Sequence, residues 1–148
     1  MRDTASTYSS SSAAVAVIGL GKIGLPLAVQ YALHGHRVIG CDIDPSVVNS
    51  VNEGKSHVQQ EPGLAGDLAD VVSKGLLSTT CHTSTAVRQA RVVVVIVPVA
   101  IEAKHEVNFE AIDAATKEIG AGLKPGSLVI YETTLPVGTT AVRFREIL

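Results

Sequence analysis

From Ala13 onward, short runs of β-branched residues alternate with segments whose apolar positions recur at helical spacing. That alternation is the signature of βαβ units around a parallel sheet, and it predicts a doubly wound α/β fold in three layers, helices over both faces of the sheet. Strands are predicted at Ala14–Gly19, Arg37–Asp42, Thr79–His82, Val92–Val97 and Ser127–Glu132. The fourth, VVVVIV, has no polar alternation, as befits a strand covered by helices on both faces, and is expected at the centre of the sheet. Helices are predicted at Ile23–His34, Pro45–Asn52, Gly63–Lys74, Thr85–Gln89 and Phe109–Gly120, with a further one opening near Val137. Gly35 stands where a left-handed cap ends the first helix, and Asp44-Pro45 supplies an N-cap and a first-turn proline to the second.

Composition narrows the partners. The 148 residues carry 12 Lys+Arg against 14 Asp+Glu and are 46% hydrophobic, enough for one domain with its own core. No Lys/Arg-rich run exists, so neither nucleic acid nor an anionic membrane is an expected partner. The longest apolar run, Val92 to Ile101, is too short to span a bilayer and is interrupted by Pro98. Cys41 and Cys81 lack C-x-x-C spacing, which speaks against a disulfide framework or zinc site and suits a reducing compartment, so a cytoplasmic protein is expected. The five histidines show no ligand spacing, and no metal site is expected. With no Trp, three Tyr and two Phe, there is no aromatic platform for stacking bases or sugars. Residues 1–13 read as a disordered Ser-rich tail and 14–148 as the folded domain. The last residues read as an amphipathic helix without a stop signal, so a longer parent chain is expected.

Chemistry enters at Gly19-Leu20-Gly21-Lys22-Ile23-Gly24, a G-x-G-x-x-G between a predicted strand and a predicted helix. Gly19 makes the tight turn, Gly21 lets a pyrophosphate approach the backbone, and Gly24 lets helix and strand pack closely. The backbone N–H groups of Lys22 and Ile23 are the expected phosphate donors; the Lys22 side chain is equally a phosphate contact or a solvated loop residue. Asp42, 23 positions after Gly19 at the end of the second strand, is placed to accept hydrogen bonds from both adenosine ribose hydroxyls. No Arg or Lys follows within ten residues to neutralise a 2′-phosphate, so NAD is expected over NADP. The fold is thus read as Rossmann-type. A bare structural turn, a role for Asp42 as a helix cap, a methyltransferase using S-adenosylmethionine and a non-catalytic nucleotide-sensing module are the alternatives at this point.

Five segments then take the reading further: GLGKIGLPLA (19–28), CDIDPSVVNSVNEGK (41–55), EPGL (61–64), VVVVIVP (92–98) and ETTLPVGTT (132–140). In order and spacing they resemble the N-terminal NAD-binding domain of the UDP-glucose/GDP-mannose dehydrogenase family, and the resemblance covers nearly everything after the tail. EPGL and E-T-T-x-P-x-G-T-T separate it from hydroxyacid dehydrogenases, which share the glycine loop. The resemblance implies a parent enzyme that oxidises the C6 alcohol of a nucleotide sugar to a carboxylate in two hydride transfers to NAD⁺, for polysaccharide biosynthesis, through a cysteine-bound thiohemiacetal. It also implies a homodimeric full-length form. By position it places Thr134 at the catalytic water near the nicotinamide, Thr133 beside it against the cofactor, and Pro98 and Val99 on the loop lining the cofactor cleft. Glu61 is assigned either to orienting a cofactor-side loop or to capping the next helix. The family's nucleophilic Cys and its companions come from a central helix and a C-terminal substrate domain absent here, so this chain alone is expected to bind NAD without turnover. Three departures are visible: Lys22-Ile23 replaces an aromatic-aliphatic pair, Val97-Pro98-Val99-Ala100 replaces V-P-T-P, and Val47 occupies the place of a basic residue. They predict a cofactor affinity below the family's usual one.

Overall fold

The computed structural model describes residues 14–102 and 107–148. The tail at 1–13, and Lys104, His105 and Glu106 of a charged cluster expected to be a solvated loop, lie outside them. Five strands form one parallel sheet: β1 (Ala14–Ile18), β2 (Val38–Cys41), β3 (Leu77–Thr80), β4 (Ala90–Val95) and, last in the chain, β7 (Leu128–Tyr131). Their order is β3-β2-β1-β4-β7, so the chain reverses its direction of winding between β1 and β4. Helices α1 (Gly24–Leu33), α2 (Pro45–Asn52), α3 (Leu64–Ser73), α4 (Thr83–Gln89) and α5 (Glu110–Gly122) make the crossovers.

β1 shows why the sheet is double-faced. All five of its residues are buried; Val15 and Val17 pack with Leu25, Val29 and Leu68 on one face, and Ala14, Ala16 and Ile18 with Ala86, Ile112 and Ile119 on the other. Such a strand must be apolar throughout. β3 lies at the sheet's edge, and the outward backbone groups of Thr79 are matched by one side chain. Asn52 Nδ2 donates to the Thr79 carbonyl (3.0 Å) and its Oδ1 accepts from the Thr79 amide (2.8 Å), imitating a neighbouring strand.

Several boundaries differ from the sequence expectation. β3 runs from Leu77 to Thr80 instead of 79–82, because Thr80 Oγ1 accepts from the His82 amide (3.1 Å) and turns the chain into α4, which starts at Thr83 and not Thr85. β4 begins two residues earlier than expected and ends at Val95: Ile96 N–H still donates to the Ile18 carbonyl (2.8 Å), and Pro98, lacking an N–H, cannot continue the ladder. A hairpin of β5 (Ala100–Ile101) and β6 (Val107–Asn108) was not expected at all, since two-residue strands carry no periodicity. Near the C-terminus the helix begins as a π turn over Thr140–Phe144, followed by α6 (Arg145–Ile147), and not near Val137. The wider turn, closed by Phe144 N–H to the Thr139 carbonyl at 3.1 Å, brings Phe144 inward to stack on Tyr131 at 4.3 Å, fully buried. The expected caps are present: Gly35 has φ +85°, and Asp44 Oδ1 accepts from the Ser46 amide at 2.8 Å.

Candidate functional site

Because the strands are parallel, their C-terminal ends lie along one edge, and there the predicted site residues collect. After β1 the chain turns through Gly19 at φ +95°, a left-handed conformation. A Cβ on Gly19 would also stand 2.6 Å from the Ile96 carbonyl oxygen. Leu20 drops into the core over β2, where a Cβ on Gly40 would meet its methyl groups at 2.9 and 3.0 Å. Gly24 opens α1 against the Gly19 carbonyl, with no space for a Cβ. These three constraints come from the protein's own atoms.

Gly21 is different. A Cβ there would meet nothing within 4 Å, and Gly21, Lys22 and Ile23 are all exposed. The amides of Lys22 and Ile23 have no hydrogen-bond partner among the described residues; the first helical bonds are donated by Leu25 to Gly21 and by Leu27 to Ile23. The turn therefore presents bare backbone and free donors at the positive end of a helix dipole.

Asp42 follows β2 and is tied to this turn. Its Oδ2 accepts from the Leu20 amide (2.9 Å) and its Oδ1 from the Asp44 amide (3.0 Å), which fixes the half-buried carboxylate and leaves acceptor capacity on both oxygens without a partner among the described residues. Beside it Ile43 is 94% exposed, a large apolar surface that sequence reasoning passed over because no periodicity distinguishes one loop residue. These groups fit a dinucleotide: free amides for the phosphates, a braced carboxylate for ribose hydroxyls and an open apolar surface next to it.

On the other side of the switch point, Thr133 Oγ1 donates to the Val97 carbonyl (2.8 Å), joining the segments that leave β4 and β7. Thr134 is exposed next to it. Pro98 and Val99 line a cleft of about 510 Å³ with Ala100, Asn108 and Glu110. Glu61 neither caps nor braces through its side chain: α3 starts from Gly63 at φ +84° without a side-chain cap, and only the Glu61 carbonyl takes part, accepting from the Leu64 amide at 3.3 Å. Val47 is half-buried on α2. Cys41 is buried at the end of β2, where burial above all pushes its thiol up to about 12, and the exposed Cys81 lies just past the neighbouring strand. Neither cysteine stands on the β4–β7 side.

Among the described residues no three or more His, Cys, Asp or Glu gather as metal ligands, and no helix is long and apolar enough to cross a membrane.

The comparisons with known proteins point the same way. UDP-N-acetyl-D-mannosamine dehydrogenase of Campylobacter jejuni is 43% identical over 127 residues, 85% of this chain and 30% of that protein. The enzyme of the same name from Escherichia coli K12 is 38% identical over 130 residues, 88% of this chain and 30% of that protein. A UDP-glucose dehydrogenase structure from Pyrobaculum islandicum superposes with a TM-score of 0.86 at 31% identity, over 95% of this chain and 33% of that one. The chain thus spans about a third of the length of the relatives it matches. The family model for the NAD binding domain of UDP-glucose/GDP-mannose dehydrogenases matches residues 13–148, and the chain belongs to that family.

Proposed function

We propose that this chain is the dinucleotide-binding part of an NAD-dependent nucleotide-sugar 6-dehydrogenase, which oxidises the C6 alcohol of a UDP- or GDP-sugar to a carboxylate with two NAD⁺. The observation that carries the reading is the bond from the Leu20 amide to Asp42, which locks the glycine turn and the ribose-binding acid into one rigid unit. In this reading Gly19 and Gly24 shape the turn, Gly21 leaves room for the diphosphate, and the amides of Lys22 and Ile23 donate to it. Asp42 accepts from the adenosine ribose hydroxyls and disfavours a 2′-phosphate. Ile43 offers an apolar wall beside the ribose, Pro98 and Val99 line the cleft toward the nicotinamide, and Thr133 lies against the cofactor.

NAD⁺, when bound, supplies the hydride acceptor. Thr134 is assigned to positioning the catalytic water, its hydroxyl being exposed beside the Thr133–Val97 link. A nucleophile is not assigned here. Cys41 is buried, its thiol held protonated, and Cys81 adjoins the adenosine side, so the thiol chemistry is assigned to the remainder of a longer parent protein and these 148 residues are expected not to turn over. Calorimetry with NAD⁺, NADP⁺ and S-adenosylmethionine tests the reading. Saturable binding of NAD⁺ with weaker NADP⁺ and no S-adenosylmethionine is expected; binding of S-adenosylmethionine alone overturns it.

A further inference from the structure

Beside the glycine turn is a cavity of about 330 Å³ whose second wall has no role so far. Gly21 and Lys22 line one side, and His57, Val58, Gln59 and Gln60, from the segment between α2 and α3, line the other. Val58 anchors that segment: it is buried in the core cluster with Leu25 and Leu64, and Ser56 Oγ both donates to its carbonyl (2.9 Å) and accepts from its amide (3.1 Å). His57, Gln59 and Gln60 around it are exposed.

The chemistry of this lining is one-sided. It offers an ammonium, an imidazole and two carboxamides, and no carboxylate, in a chain whose formal net charge is −2. None of these four side chains makes a hydrogen bond or ion pair among the described residues. Asp44 is within electrostatic reach of His57; its carboxyl is held below the usual aspartate range chiefly by Ser46, with His57 contributing least. An ammonium, an imidazole and two carboxamides lining a space bounded by bare Gly21 backbone suit an anion.

We propose that residues 56–60 form a second wall of the dinucleotide site, from which His57 grips the diphosphate across the cavity from the backbone amides of the turn, while the Lys22 side chain closes on it from the turn's own side. This rests on the glycine turn being the NAD site. It gives Lys22, a departure from the family's usual aromatic, a binding role, and it extends the site to a segment outside the glycine fingerprint.

Calorimetry on the wild type, His57→Ala, Lys22→Ala and the double variant, each with NAD⁺, ADP and adenosine, tests it. Both positions are exposed, so the core is untouched. Each single variant is expected to weaken NAD⁺ and ADP by about tenfold, as for a hydrogen bond to a charged group, and to leave adenosine within about twofold. Undiminished NAD⁺ and ADP binding in the double variant overturns the inference while leaving the NAD reading intact. Equal losses for adenosine overturn it too, since the residues would then serve the nucleoside side. A wild type that binds neither NAD⁺ nor ADP removes the NAD reading and this inference with it.

Discussion

Gly24 at the start of α1 is pressed against the carbonyl oxygen of Gly19, so that no Cβ fits between them, whereas Gly21 between the two faces open space. The same substitution should therefore have opposite consequences. Gly24→Ala is expected to destabilise the fold by about 3 kcal/mol or more, an overpacking cost at the top of the usual range because the clash is with backbone. Gly21→Ala should leave thermal stability within about 0.5 kcal/mol and weaken NAD⁺ binding tenfold or more. Thermal melts and calorimetry on the two proteins decide it, and equal stability losses would contradict the contrast.

Asp42→Asn keeps the shape of the side chain and removes the charge. One carboxamide oxygen can still accept from Leu20, but the amide nitrogen then faces the Asp44 N–H, and the acceptance from both ribose hydroxyls proposed for Asp42 is lost. NAD⁺ affinity should fall by about 10- to 100-fold, and the preference over NADP⁺ should shrink, because no carboxylate then opposes a 2′-phosphate. An unchanged NAD⁺/NADP⁺ ratio would place ribose recognition elsewhere.

Thr133 and Thr134 are adjacent and separable. Thr133→Ala breaks the 2.8 Å bond to the Val97 carbonyl and should cost about 1 kcal/mol of stability. Thr134→Ala is expected to be neutral for folding and for NAD⁺ binding in these 148 residues, and to lower kcat in the longer enzyme proposed above. Steady-state kinetics on that enzyme check it.

The two thiols should react very differently. Cys41 is buried with its thiol pushed up to about 12, and Cys81 is exposed. Since the thiolate is the reacting species, one fast equivalent of a thiol reagent is expected near pH 8, from Cys81, and a second only on unfolding. Cys81→Ser should abolish the fast phase.

The C-terminal turn is fastened to α5 by Arg143, whose Nε donates to Asp113 Oδ1 at 2.8 Å while its guanidinium lies 4.4 Å over the Phe109 ring. The hydrogen bond from Arg143 holds the Asp113 carboxyl below the ordinary aspartate range. A lowered folded pKa contributes stability that is complete above the unfolded value, about 4, and lost as pH falls through the folded one. Asp113→Asn should thus be less stable than wild type by under about 1 kcal/mol at neutral pH, since Arg143 is about half exposed and the pair is screened by solvent, with the gap closing in acid. Chemical denaturation at several pH values measures it.

How much of this was legible in the sequence varies with the range of the contact. β1, α2 and the glycine turn are written in residues that neighbour one another, and the structure has them within a residue of expectation. The starts of β3 and β4 are set by pairing with β2 and β1, at Val38↔Leu77 and Ala14↔Ala90, so a local reading misplaces them by two residues. The site divides in the same way. Asp42 could be found by counting from Gly19, but its bond to the Leu20 amide spans 22 positions and has no local signature. His57 sits between two helices with no motif of its own; only the burial of Val58, a long-range fact, brings it to the turn. Glu61, in a recognisable motif, has a backbone role instead of a side-chain one.

Gly40 leaves, in the middle of a buried strand, the notch that Leu20 fills. The glycine turn is in this way keyed to the sheet beneath it, and its one buried side chain behaves as a peg. Ordering a flexible loop around a ligand costs affinity. Here the position of the turn is set when the sheet forms, so if the turn is the dinucleotide site proposed above, a Gly40 variant that merely loosened the peg would show its effect in binding as well as in stability.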